Sequence, residues 1–213
     1  MAGFAEVASQ LADVGRFFLA RGWVLGTSGN LSAVLARQPL RLAITARGRD
    51  KGALEPGHFV QVDEAGSVVS GSGPASDETP LHLAIVAERG AGAVLHSHSV
   101  WGTLLSDACA VDGGVRLSGW EMLKGLAGVT THEHVEWVPV LENSQDYPRL
   151  AADLAASLRK HPGCHGVLLR GHGLYAWGRD VDEARRHVEV LEFLFEVEGR
   201  RGVPGRGGAS WRS

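Results

Sequence analysis

Apolar residues recur every three or four positions near the start of the chain. Phe4, Val7, Leu11, Val14 and Phe18 share one face of a helix predicted over Phe4–Arg21. The period then shortens. "GTSGNLSAVL" reads as a loop entering a strand, and "LRLAIT" and "HFVQVD" as further strands, with "DEAG" between Val62 and Val68 as a hairpin turn. The glycine-rich "SGSGPASDETP" leads into a helix over about Thr79–Arg89, with Ser76 or Asp77 as cap and Pro80 near its start. "AGAVLH" predicts a short strand, Val100–Leu105 a helical stretch and "EWVPVL" another strand. Asp146 stands where it can cap a helix running from Tyr147–Pro148 to Lys160. "GCHGVLLRGHG" gives a strand ending at Gly171, and Asp180–Val181–Asp182–Glu183 has the form of a capping box for a long final helix.

These elements add up to one mixed α/β domain, expected over residues 1–198, with no dividing linker and no internal repeat. A chain of 213 residues suits one substantial core rather than two. The closing "GRRGVPGRGGASWRS" has little to bury, so residues 199–213 are expected to form a flexible tail. The first helix has polar breaks instead of a basic start and an unbroken apolar segment, and it reads as soluble rather than as a signal peptide. No apolar run approaches membrane-spanning length, so no membrane partner is expected. Cys109 and Cys164 do not amount to a disulfide framework, and a reducing cytoplasm is the simpler location. A formal charge of −3 without a dense basic run before the C-terminal region argues against a nucleic-acid partner. Six tryptophans can build pocket walls, core or subunit contacts. The glycines form neither a Rossmann nor a P-loop fingerprint, since Lys51 lacks the required preceding spacing.

The chemistry concentrates at "AVLHSHSV". On an extended segment, residues two apart project to the same side, so His96 and His98 can offer two imidazoles to one ion. A second apolar strand, in "VLLRGHGLYAWG", delivers His172 between two glycines. Three neutral imidazoles with one open position suit catalytic zinc, while iron, manganese and cobalt also accept such ligands. Plain hydrogen-bonded positions at a strand end and in a turn fit the spacing too. His82 sits within a helix, where it can pack or hydrogen-bond. His132 and His134 form a close-spaced pair around Glu133, and His58, His161, His165 and His187 read as structural or exposed. Glu78 in "SDETPLH" and Glu121 in "SGWEMLKG" are candidate proton carriers, with helix capping and an exposed helical start as their plainer roles. Ser28, Gly29 and Asn30 in "TSGNLS" can form an anion-binding nest or an ordinary turn.

Taken in order, "GTSGNLS", "ITARGRDKG", "SDETPLH", "AVLHSHS", "LSGWEMLKGLAG", "VLENSQDY" and "RGHGLYAWG" resemble the class II aldolase/adducin family from about Phe4 to Glu198. The resemblance implies a three-layer α/β/α fold with a central, largely antiparallel sheet, and a homotetramer with active sites near subunit boundaries. It implies zinc on His96, His98 and His172. It also implies phosphate recognition by Ser28, Gly29, Asn30, Gly48 and Ser76, with Lys51 in the same matched loop. Arg47 replaces the serine usual before that glycine. The Pro74–Asp77 stretch likewise departs from the ordinary Lys-Pro-Ser-Ala, which leaves the individual phosphate contacts open.

The segments around Glu121 and "ENSQDY" resemble a dehydratase branch. They imply zinc-dependent dehydration of 5-methylthioribulose 1-phosphate to 2,3-diketo-5-methylthiopentyl 1-phosphate in methionine salvage. There Glu121 is the principal acid/base and Glu78 an auxiliary one. A zinc-dependent sugar-phosphate aldolase, in which Glu78 carries the proton, is the alternative, and a catalytically silent adducin-like interaction domain the remote one.

Overall fold

The structure, a computed structural model, describes residues 3–202. In chain order its main elements are α1 (Phe4–Ala20), β1 (Asn30–Arg37), β2 (Leu40–Thr45), β3 (Phe59–Val62), β4 (Val68–Ser70), α2 (Thr79–Arg89) and β5 (Ala93–Ser97). There follow α3 (Val100–Ala108), β6 (Gly114–Ser118), β7 (Val135–Leu141), α4 (Tyr147–Lys160), β8 (Gly166–Leu169), β9 (Gly173–Gly178) and α5 (Val181–Arg201). The strands form one sheet in the order β4-β3-β2-β1-β5-β9-β8-β7-β6. Every neighbouring pair is antiparallel except β7 with β8.

Side-chain alternation along the central strands sorts the core into two layers. Ala43, Ala93, Leu95, Leu168, Leu174 and Ala176 pack with α1, α3 and α5. Their neighbours Leu42, Ile44, Val94, Val167, Leu169, Tyr175 and Trp177 pack with α2 and α4. The result is the expected three-layer α/β/α arrangement around a largely antiparallel sheet. β5 and β9 lie at its centre and are buried on both faces.

Several local expectations are met for the expected reasons. Asp146 accepts from the Arg149 amide to start α4, and Asp180 from the Glu183 amide to start α5. The cap of α2 differs. Glu78 is its first flanking residue and makes no side-chain cap bond, while the Ser76 hydroxyl accepts from the Glu78 amide at 3.3 Å. The last helix also runs further than expected. Gly199, Arg200 and Arg201 are helical, and the glycine is needed there because a Cβ would lie 2.2 Å from the Trp101 ring. Residues 203–213 of the expected tail lie outside the described residues. Among the described residues no helix is long and apolar enough to cross a membrane.

Candidate metal centre

The two central strands bring the histidines together. Across β5 and β9, His96 stands opposite Tyr175, and across β5 and β1 it stands opposite Asn30. His98 lies just past the end of β5, where its amide donates to the Trp23 carbonyl at 2.7 Å and keeps the segment in place. His172 occupies the turn between β8 and β9, its amide bonded to the Leu169 carbonyl at 3.0 Å. One ring nitrogen from each of His96, His98 and His172 lies within 4.8 Å of the others.

The hydrogen bonds on the far sides of two rings indicate what belongs between them. His96 Nδ1 donates to the Leu174 carbonyl at 2.9 Å, and His172 Nδ1 faces Asn143 Oδ1 at 3.2 Å. Both acceptors are oxygens, so in the neutral rings the lone pairs belong to Nε2, and these two nitrogens face each other at 3.2 Å. Two lone pairs so placed repel unless a cation separates them. Burial lowers all three basicities, well below the ordinary value for His96 and to about 4 for His98. Neutral imidazoles oriented by outer hydrogen bonds are a donor set that fits a divalent metal.

Beside the triad lies Glu78. Its carboxylate oxygens are 3.6 Å from His96 Nε2 and 3.4 Å from His172 Nε2. Asn30 Nδ2 donates to the same carboxylate, and Asn30 Oδ1 meets His82 Nε2. The Ser32 hydroxyl closes the chain on His82 Nδ1 at 2.7 Å. Burial lowers the His82 pKa to about 3, so the ring is neutral. It then gives its one proton to Asn30 Oδ1 and accepts from Ser32. That fixes the Asn30 amide with its NH2 toward Glu78. Tyr175 stacks on His96 at 3.9 Å between ring centres. Burial and then the charge of Glu78 push its phenol well up, and its hydroxyl faces Glu78 without a well-formed hydrogen bond.

The five phosphate candidates Ser28, Gly29, Asn30, Gly48 and Ser76 all line one cleft of about 290 Å³, together with Lys51, Glu78 and His98. Gly29 has a positive φ of 74°, and a Cβ there would come within 2.7 Å of the His96 carbonyl. The Ser28 hydroxyl is buried without a partner among the described residues. Lys51 is held by the Thr27 and Arg49 carbonyls at 2.8 and 2.6 Å, leaving one ammonium proton for the cleft. Burial lowers its pKa to about 8. Arg47 forms a surface ion pair with Asp77 at the rim.

Glu121 is elsewhere. It begins a 3₁₀ turn over Glu121–Gly125, its side chain 69% exposed beside Lys124 and His132, and it does not line the cleft. Hydrogen bonding to Lys124 holds its carboxyl below the ordinary range.

Tyr175 and Asn143 carried no role of their own in the sequence, whereas His82, expected to pack or hydrogen-bond, does so. Tyr175, Asn143 and His82 hold or orient the groups just described. Glu192 of α5 accepts from the Ser97 hydroxyl at 2.6 Å on the opposite face of β5. Its second oxygen has no partner among the described residues, and burial pushes its pKa up to about 7. Alternation marks Tyr175 as an inward residue once β9 is recognised, while a buried glutamate on a helix rich in charges gave no signal. Of the tryptophans among the described residues, Trp101 packs on Gly199 and Trp120 donates to Glu198, and none lines the cleft.

Known proteins resemble this chain over most of its length. Residues 9–198 match the family described as Class II Aldolase and Adducin N-terminal domain. The chain is 48% identical over 198 residues to a methylthioribulose-1-phosphate dehydratase of Methylococcus capsulatus, covering 92% of this chain and 95% of that one. It is 45% identical over 198 residues to a protein of the same name from Sorangium cellulosum, covering 92% of each. A solved L-fuculose 1-phosphate aldolase superposes with a TM-score of 0.77 at 26% identity, covering 98% of this chain and 93% of the other. With its sheet order, its paired core layers and this match over most of its length, the chain belongs to the class II aldolase/adducin family.

Proposed function

We propose that this protein is a zinc-dependent hydro-lyase that dehydrates 5-methylthioribulose 1-phosphate to 2,3-diketo-5-methylthiopentyl 1-phosphate in methionine salvage. The observation that carries the reading is 48% identity across 92% of the chain to a protein named methylthioribulose-1-phosphate dehydratase. The converging imidazoles of His96, His98 and His172 support a metal electrophile. Zinc held there supplies Lewis acidity, polarising the substrate C2 carbonyl so that the C3 proton becomes removable.

The chain's own groups do the rest. Ser28, Gly29, Asn30, Gly48 and Ser76 bind the phosphate, with the Lys51 ammonium beside them. Glu121 is the principal acid/base: its carboxylate takes the C3 proton and passes a proton to the departing C4 hydroxyl, which leaves as water. The substrate thus loses hydrogen from C3 and hydroxide from C4, and the resulting enol tautomerises to the diketone. Glu78 is auxiliary, held by Asn30 where it can orient water or exchange a proton.

Because Glu121 projects away from its own cleft, the reading includes a homotetramer in which Glu121 reaches the cleft of a neighbouring subunit. Exposed Val100, Leu104, Val111 and Met122 support burial of this surface against another copy. Free thiols at Cys109 and Cys164 support a cytoplasmic setting.

One observation favours a second reading, a sugar-phosphate aldolase: Glu78, not Glu121, lies beside the imidazoles. A single assay separates the two. Zinc-loaded protein given 5-methylthioribulose 1-phosphate should release the diketone. An aldehyde together with dihydroxyacetone phosphate would make it an aldolase.

A further inference from the structure

The turn that carries Glu121 is short and exposed, and 3₁₀ runs hold poorly without outside support. The turn is tied to α5 at both ends. Trp120 Nε1 donates to Glu198 at 2.7 Å, and Gly125 lies so close to Val190 that a Cβ would meet it at 2.5 Å. Leu123 and Leu126 are buried beneath it. The chain just beyond it is held differently, by two histidines that grip the main chain of Ala127. The Ala127 amide donates to His187 Nε2 at 3.0 Å, and the Ala127 carbonyl accepts from His165 Nε2 at 2.9 Å.

Each imidazole is itself locked. His187 Nδ1 donates to the Trp177 carbonyl at 2.7 Å, so Nε2 is free to accept and the ring is neutral in one tautomer. His165 is in the opposite state. Its Nδ1 lies 3.0 Å from Glu136 Oε2 while its Nε2 meets the Ala127 carbonyl, and both partners only accept. Both ring nitrogens must therefore carry protons, which makes His165 a cation. Glu136 is buried and is also met by the His165 amide at 2.8 Å and by His134 Nε2 at 2.9 Å. Burial opposes the charge on His165, but its bond to Glu136 raises the pKa above the ordinary value. A neutral ring and a charged ring, packed edge to face at 5.0 Å, thus hold one peptide unit from both sides.

We infer that His165 and His187 are positioning residues for Glu121: by holding both polar groups of Ala127 they fix the turn from which that carboxylate is presented. The catalytic consequence rests on the dehydratase reading, whereas the clamp itself rests on geometry alone. A side chain that must deliver a proton loses rate when its backbone shifts by a fraction of an ångström, while phosphate and metal binding in the cleft remain intact.

The test uses the zinc-loaded full chain and two replacements of one residue. In His165→Asn the shorter amide can still bond Glu136 but stops short of Ala127. In His165→Gln the amide reaches the Ala127 carbonyl. His165→Asn should lower kcat about tenfold or more, with KM and zinc content within about twofold of wild type. It should also speed amide hydrogen exchange over residues 120–127. His165→Gln should restore slow exchange and bring kcat back to within about threefold. If His165→Asn does not fold, His187→Phe, which fills the ring volume without accepting from Ala127, is read by the same measurements.

Exchange unchanged in the variant that breaks the Ala127 bond overturns the clamp. So does a kcat loss that follows zinc content or is not rescued by glutamine. Wild-type protein that fails to turn over the substrate refutes the dehydratase reading instead, and hydrogen exchange then decides the clamp.

Discussion

The Glu78 carboxylate is packed between Asn30, His96 and His172, whereas Glu121 projects from a 3₁₀ turn with Lys124 and His132 beside it. The first is fixed by a relay running back through His82 to Ser32. The second is fixed only through its backbone, by Trp120, the leucines beneath it and the grip on Ala127. One region is finished within a single chain, and the other presents an exposed carboxylate to whatever lies opposite. This division suits a family whose members run different reactions on a common electrophile. In the dehydratase reading the metal pocket stays constant while a carboxylate from another subunit decides which bond breaks. The Lys124 contact holds the Glu121 carboxyl below its ordinary range in the single chain. Burial against a second subunit would raise its pKa toward a useful value.

The contrast can be broken most severely at the triad. His96→Ala or His172→Ala should abolish bound metal and reduce dehydration by about 10³-fold or more, measured by elemental analysis beside the product assay. Full metal occupancy in either variant would remove that residue from the ligand set. Next comes Glu121→Gln, expected to lower kcat by roughly 10²- to 10⁴-fold with zinc unchanged. Mixing Glu121→Gln chains with His98→Ala chains should then restore activity, because each supplies what the other lacks. Failure to complement would place both groups in one subunit's site.

Asn143→Ala, which frees His172 Nδ1, should weaken metal affinity by about 10-fold and leave the fold intact, as a competition titration against a chelator would report. Glu192 offers a test on the other face of β5. Its folded pKa of about 7 lies above the ordinary 4.5, so the folded state takes up a proton between these values. Its contribution to stability is fully present below about 4.5 and is lost as pH rises through about 7. Relative to wild type, Glu192→Gln should therefore gain on the order of 1–3 kcal/mol between pH 5 and pH 8, read from denaturation curves. A constant gap across that range would mean that Glu192 is ionised throughout.

The smallest effect is expected from Arg47→Ser. An exposed pair with Asp77 is worth under about 1 kcal/mol, and KM should move less than about fivefold. A loss beyond about tenfold would show that Arg47 leaves Asp77 to bind the phosphate directly.

Legibility in the sequence followed the same division. Helices α2 and α4 could be read because their starts are written locally, in Pro80 and in Asp146 before Tyr147–Pro148. The triad was readable from the two-residue spacing of His96 and His98 with a second strand delivering His172. Two strands were missed for opposite reasons. β9 hides in "GLYAWG", where glycines at both ends resemble loop punctuation, although all six residues are buried in the sheet. β6 is a short edge strand that only its pairing with β7 defines. The Ala127 clamp could not be foreseen. It joins residues 127, 165 and 187 through main-chain groups that are the same in every amino acid except proline, and side-chain patterns carry no trace of it.

Gly29 has a consequence for scale. It touches the His96 carbonyl, and the next residue, Asn30, pairs with His96 across the sheet. The proposed anion nest thus ends on Asn30, the residue that faces the proposed metal ligand His96 across the ladder. In the proposed reading the sheet acts as a fixed caliper between phosphate and carbonyl. On that reading, ketoses phosphorylated one carbon from the carbonyl are expected to be accepted, and those whose phosphate sits at the other end of the sugar to be turned away. Selection of that kind asks nothing of the methylthio group. The far end of the substrate is left for other surfaces to judge.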